Sequence, residues 1–174
     1  GGCAPGGRVS LNPTVNLAVA PTNLAEQAAV YIPTLHQKLV HSQTFGSLGT
    51  IDVLLGPALT KCARESFQLF FGQVLMLGPS ETTGLPWRID LRTDRFRVTD
   101  NLGVELVVWC KIMNGGKIVL EQSFEGRAEG PAQRAGSLQW LQRVQHVVDL
   151  AVLLGAALTD IGQGGGVGFE AVKI

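Results

Sequence analysis

Val104-Glu105-Leu106-Val107-Val108-Trp109-Cys110-Lys111-Ile112-Met113-Asn114-Gly115-Gly116-Lys117-Ile118-Val119-Leu120-Glu121-Gln122-Ser123-Phe124 is the stretch on which the fold turns. Val104, Leu106, Val108, Cys110 and Ile112 alternate with other residues, the period of a half-buried strand. Ile118, Leu120 and Phe124 form a second run of one parity. Asn114-Gly115-Gly116 between the runs supplies the positive-φ residues that a tight hairpin connection needs. A period of two leaves Glu105, Lys111, Glu121 and Glu125 facing solvent. Val107, Trp109 and Met113 share that outer face, which makes Trp109 a contact candidate.

Upstream of the hairpin, Trp87 to Thr99 also alternates, with Ile89 and Leu91 set against Arg88, Asp90 and Arg92. Parity changes between Leu91 and Phe96, so a β-bulge or break is expected near Thr93-Asp94. Thr50 to Leu77 reads as a long helix carrying Leu59, Cys62, Ala63, Ser66, Phe70, Gln73, Val74 and Leu77 on one stripe, stopped by Gly78-Pro79. Phe67, Leu69, Phe71 and Met76 widen the stripe, and Phe67 and Phe71 are further contact candidates. Asn23 to Val30 reads as a short helix, Tyr31 to Val40 as extended. Thr14 to Ala20 alternates like a strand and stops at Pro21. After a Gly/Pro linker, Ser137 opens a second long helix through Ile161. Its apolar run Leu150 to Leu158 is too short to span a bilayer. The expected fold is therefore α+β, an antiparallel sheet with two long helices packed on one face. Residues 1–13 read as a tether, 14–161 as one domain and 162–174 as a flexible tail.

At 174 residues the chain is long enough to bury a core without metal or disulfide help. It is 45% hydrophobic and only 16% charged, so part of its apolar surface is expected to meet a partner. A net charge of zero provides no global field to attract nucleic acid. Arg88, Arg92, Arg95 and Arg97 are the one basic concentration, interleaved with Asp90, Asp94 and Asp100. They read as a self-paired strand face, with binding of an acidic partner or lipid headgroup as the other reading. Arg88 and Arg92 are carried as interaction candidates.

Catalytic constellations are not found. Phe45-Gly46-Ser47-Leu48-Gly49 lacks the glycine two places before the serine that a nucleophile elbow requires. His36, His41 and His146 are scattered, so no metal site is expected. The glycine run at 162–168 follows a helix instead of leading into one, and Ile118 stands where a P-loop after Gly116-Lys117 needs Ser or Thr. No enzyme activity and no cofactor are expected. Cys62 and Cys110 lie in apolar surroundings and read as small buried core residues, or as a bridged pair.

Gly1-Gly2-Cys3-Ala4 resembles the end of a bacterial lipoprotein signal, in which a small residue precedes the acylated cysteine. The other reading of Cys3 is a free thiol near the chain's start. The resemblance implies a lipid anchor at Cys3 and, because Ala4 is not Asp, outer-membrane sorting with the folded part facing the periplasm. The element order is also similar to small envelope lipoproteins, the YajG-type family and the lipopolysaccharide-assembly lipoprotein among them. What this implies is a non-catalytic subunit of an envelope assembly or transport complex, a homo- or hetero-oligomer with other envelope proteins as partners. The alternative is a periplasmic carrier holding a lipid or other apolar ligand in a cavity lined by Phe70, Val74, Leu106 and Leu154.

Overall fold

The computed structural model describes residues 7–11, 24–45, 49–99, 103–128 and 140–144. Among these, 53% are in strands and a single helix exceeds seven residues. The expected sheet with two long helices on one face is therefore incorrect. The chain instead runs β1 (Gly7–Val9), β2 (Gln27–Tyr31), α1 (Thr34–Gln37), β3 (Val40–Thr44), β4 (Thr50–Leu54), α2 (Leu55–Phe70), β5 (Gln73–Leu77), β6 (Trp87–Val98), β7 (Val104–Asn114) and β8 (Lys117–Ala128). Residues 140–144 are helical; the rest of the second long helix expected over 137–161 lies outside the described residues. So do Cys3, the strand expected at 14–20 and the tail.

Two sheets result, one of order β1-β4-β3 and one of order β5-β2-β6-β7-β8. β2 is parallel to both its neighbours, while the β6-β7-β8 meander is antiparallel. The helix read at 23–30 is instead the strand β2. Ala28, Ala29 and Val30 are wholly buried there. A strand covered on both faces presents a continuous apolar run, which periodicity cannot separate from a buried helix. Residues 7–9, within the stretch read as a tether, pair in parallel with β4.

The helix read at 50–77 is three elements. Its first residues, rich in β-branched side chains, form β4, and its last five form β5. Between them α2 buries Ala58, Cys62, Ala63, Ser66, Phe67 and Phe70, a face at helical spacing. Phe71 turns to an extended conformation and ends the helix. At the other end Gly56 makes a close approach that only glycine permits. A Cβ there would stand 2.4 Å from the carbonyl oxygen of His36.

The core lies between α2 and the inner face of the five-stranded sheet, with Val30, Ile89, Leu91, Leu106, Val108, Cys110 and Ile112 packed against Phe67 and Phe70. Trp140 and Val144 join this cluster, and Trp140 stacks edge-on against Phe45. Cys62 and Cys110 are buried and unbridged. Burial pushes the Cys110 thiol up to about 12, with the nearby Asp90 charge adding to the effect.

Candidate functional site

The polar residues singled out in the sequence converge on the outer face of the five-stranded sheet. The register of β6 against β7 shifts between Thr93 and Arg95, where the change of parity places a bulge. Asp94 is the extra residue. Before it, Arg88 and Arg92 sit opposite Met113 and Trp109; after it, Arg95 and Arg97 sit opposite Val107 and Glu105. The bulge thus returns the later arginines to the face of the earlier ones, where uninterrupted alternation would have turned them into the core. The N–H of Thr93 at the bulge donates to His36 Nδ1 at 3.0 Å, so that imidazole nitrogen is an acceptor.

Arg92 lies over the Trp109 ring, 4.2 Å from its centroid, and its Nε donates to Asp94 at 2.7 Å. Arg88 stands 5.8 Å from the Tyr31 ring and donates to Asp90 at 2.9 Å. The interaction candidates Trp109, Arg88 and Arg92 therefore share one surface. Phe67 and Phe71 do not, because both are fully buried in the core. As contacts they would require the core to open.

Glu105, read as solvent-facing, is 2% exposed. Arg95 and Arg97 both donate to it, Arg97 at 2.5 Å, and an Arg127 guanidinium nitrogen lies 3.6 Å away. Arg127 also donates to Glu125. Burial pushes the Glu105 carboxyl up, but the hydrogen bond from Arg97, a hydrogen bond with Glu125 and the charges of Arg95 and Arg97 outweigh it and hold the group below its ordinary value of 4.5. A second register shift makes this arrangement possible. β7 and β8 slip by one residue between Ile112 and Met113, leaving Val119 extra on β8. Without that slip Gly126 would face Glu105; with it, Arg127 does. The slip also separates the run read as one face: Ile118 lies outside beside Met113, while Leu120 and Phe124 lie opposite Ile112 and Val108.

One row crosses all five strands on this face, Leu75–Ala29–Arg88–Met113–Ile118. Its two ends are apolar and open, Leu75 being 47% and Ile118 55% exposed. Beside Leu75 a cleft of about 210 Å³ is lined by Gln27, Gln73, Thr83 and Leu85. On the inner side, a groove between α2 and the β6 bulge has only about 30 Å³ of free room. It is lined by Cys62, Ser66, Phe67 and Leu91, among others, and the Ser66 hydroxyl there is buried without a protein partner. That space suits a water, not an acyl chain. Phe70 and Leu106, expected around a ligand cavity, are packed into the core. Among the described residues no three His, Cys, Asp or Glu side chains gather as metal ligands, and no helix is long and apolar enough to cross a membrane.

No protein-family model matches the sequence, and no curated protein matches it. Among solved structures, a minor lipoprotein from Acinetobacter baumannii is 11% identical over 79% of this chain and 92% of its own, with a TM-score of 0.43, too low to argue from. A protein described only as uncharacterized is 13% identical, covering 88% of this chain and 96% of its own, at a TM-score of 0.53. Protein XCC0632 from Xanthomonas campestris, of family-model DUF330, is 10% identical, covering 90% of this chain and 97% of its own, at a TM-score of 0.68. At such identities the likeness concerns architecture alone: this chain has the fold of XCC0632.

Proposed function

We propose that the chain is a non-catalytic, lipid-anchored protein of the bacterial envelope that works as a subunit of an assembly or transport complex. The observation that carries the subunit role is the row across the five-stranded sheet, with Leu75 at one edge and Ile118 at the other. Four interstrand steps of about 4.8 Å put these ends roughly 19 Å apart, so one copy cannot cover both with a single contact. β5 and β8 run in the same direction at opposite edges, which follows from the parallel and antiparallel pairings. Placing β8 of one copy beside β5 of the next continues the row and brings Ile118 to the cleft beside Leu75. Such a contact is head-to-tail, which closes into a ring or grows. It also pairs two sheet edges that have no strand beside them among the described residues.

The anchor rests on Gly1-Gly2-Cys3-Ala4, with Cys3 as the acylated residue and Ala4 favouring the outer membrane and its periplasmic face. Native mass spectrometry of the full chain extracted from membranes tests both parts. The expected result is an oligomer whose chains carry a lipid mass on Cys3. Leu75→Glu and Ile118→Glu should each yield monomers, while an equal mixture of the two restores a pair, since one intact edge remains on each. A monomeric wild-type chain contradicts the subunit role, and an unmodified Cys3 contradicts the anchor. The carrier alternative calls for a lipid-sized cavity, and the groove beside α2 has room for about one water.

A further inference from the structure

Three arginines from two strands meet over one buried carboxylate from the strand between them. Arg95 and Arg97 come from β6, Glu105 from β7 and Arg127 from β8. One buried carboxylate is neutralised by a single cation, so three exceed what its burial requires. Among the ion pairs of the described residues, three positive charges, Arg95, Arg97 and Arg127, face two negative ones, Glu105 and Glu125. The vertical order also matters. The Glu105 side chain is 3% exposed, whereas Arg95, Arg97 and Arg127 are 50%, 58% and 50% exposed, so the guanidinium groups form the outer layer.

Each guanidinium presents five N–H donors in a planar fork. Arg95 and Arg97 each direct one terminal nitrogen to Glu105, and half or more of each side chain remains at the surface. The forks are already ordered by the carboxylate below, so an incoming oxyanion does not have to immobilise them. Two bulges in one sheet, at Asp94 and at Val119, are needed to bring these residues into register.

We propose that Arg95, Arg97 and Arg127 form a binding site for a phosphoryl group, with Glu105 as the positioning residue that holds the forks in place. A tetrahedral oxyanion can offer a separate oxygen to each of three forks, whereas a planar carboxylate has two oxygens to share. The same chemistry is found in a lipid whose headgroup is a phosphomonoester and in a soluble phosphomonoester. The arginine cluster shares no residue with the row from Leu75 to Ile118, so a change at one leaves the other in place.

The test uses the full chain carrying Cys3→Ser, so that any membrane binding is independent of an acyl group. Inorganic phosphate is titrated at constant ionic strength while the arginine Nε–H resonances are followed by NMR. Saturable shifts are expected at Arg95, Arg97 and Arg127 and not at Arg88 or Arg92. Arg97→Gln should weaken the apparent affinity by about tenfold. Glu105→Gln, where it folds, should shift the Arg95 and Arg97 Nε–H resonances before any phosphate is added and should bind phosphate more weakly, because the forks lose the carboxylate that holds them. Sedimentation with phosphatidylcholine vesicles, with and without phosphatidic acid, whose phosphomonoester offers three terminal oxygens, then distinguishes the sources. Binding to the anionic vesicles that free phosphate displaces assigns a lipid headgroup; phosphate binding without vesicle binding assigns a soluble ester. No shift, equal shifts at all five arginines, or an unchanged affinity in Arg97→Gln overturns the site.

Discussion

Replacing Glu105 by Gln keeps the shape of the side chain and removes the charge under three guanidinium groups. Glu105 accepts hydrogen bonds from Arg95 and Arg97 and lies 3.6 Å from Arg127. A hydrogen bond to a charged group contributes about 1.5–3 kcal/mol when well formed. Because the arginines are about half exposed, water screens and partly replaces what they lose. Halving two such bonds gives an expected loss of roughly 2 kcal/mol, or about 4–8 °C in melting temperature for a domain of this size. The glutamine amide adds to the loss by turning a donor toward donors.

The pH dependence has a definite sign. The folded carboxyl sits below its ordinary value of 4.5, so its contribution is complete above that value and is lost as pH falls through the folded one. Urea unfolding followed by tryptophan fluorescence, near pH 7 and again near pH 3, measures both effects. Glu105→Gln should be the less stable protein at neutral pH, and the gap should close in acid as the wild type protonates. A neutral-pH loss below about 0.5 kcal/mol, the range of an ordinary surface change, refutes the reasoning. So does a gap of equal size at both pH values.

Three further outcomes are expected. His36→Ala removes the acceptor of the Thr93 N–H at the bulge, costs about 1–3 kcal/mol and accelerates hydrogen exchange at the Thr93 amide; unchanged exchange there contradicts the assignment. Gly56→Ala sets a Cβ within 2.4 Å of the His36 carbonyl oxygen and 2.5 Å of that of Gln37, backbone atoms that cannot rotate away. It should cost about 3 kcal/mol, the upper end of overpacking, and a normal melting curve would show that the α1–α2 contact yields. Cys110, with its thiol pushed up to about 12, should resist iodoacetamide at mildly alkaline pH until denaturant is added; alkylation of the native protein contradicts its burial.

Local chemistry alone determined the β6-β7-β8 meander. Alternation, the Asn114-Gly115-Gly116 turn and the parity change near Asp94 are all properties of neighbouring residues, and each appears in the structure. It also placed Trp109, Arg88 and Arg92 on the outer face, since their orientation follows from that alternation. Tertiary structure decided the rest. Ala28-Ala29-Val30 is a strand because parallel β5 and β6 flank it, and a run buried on both faces has no period of its own. The ends of the 50–77 stretch are strands because each pairs outside that stretch, β4 with β1 and β3, and β5 with β2. The same holds for Glu105. Whether it met water or Arg127 depended on a one-residue slip between β7 and β8, and a shift of one residue moves a side chain's partner without changing any local preference.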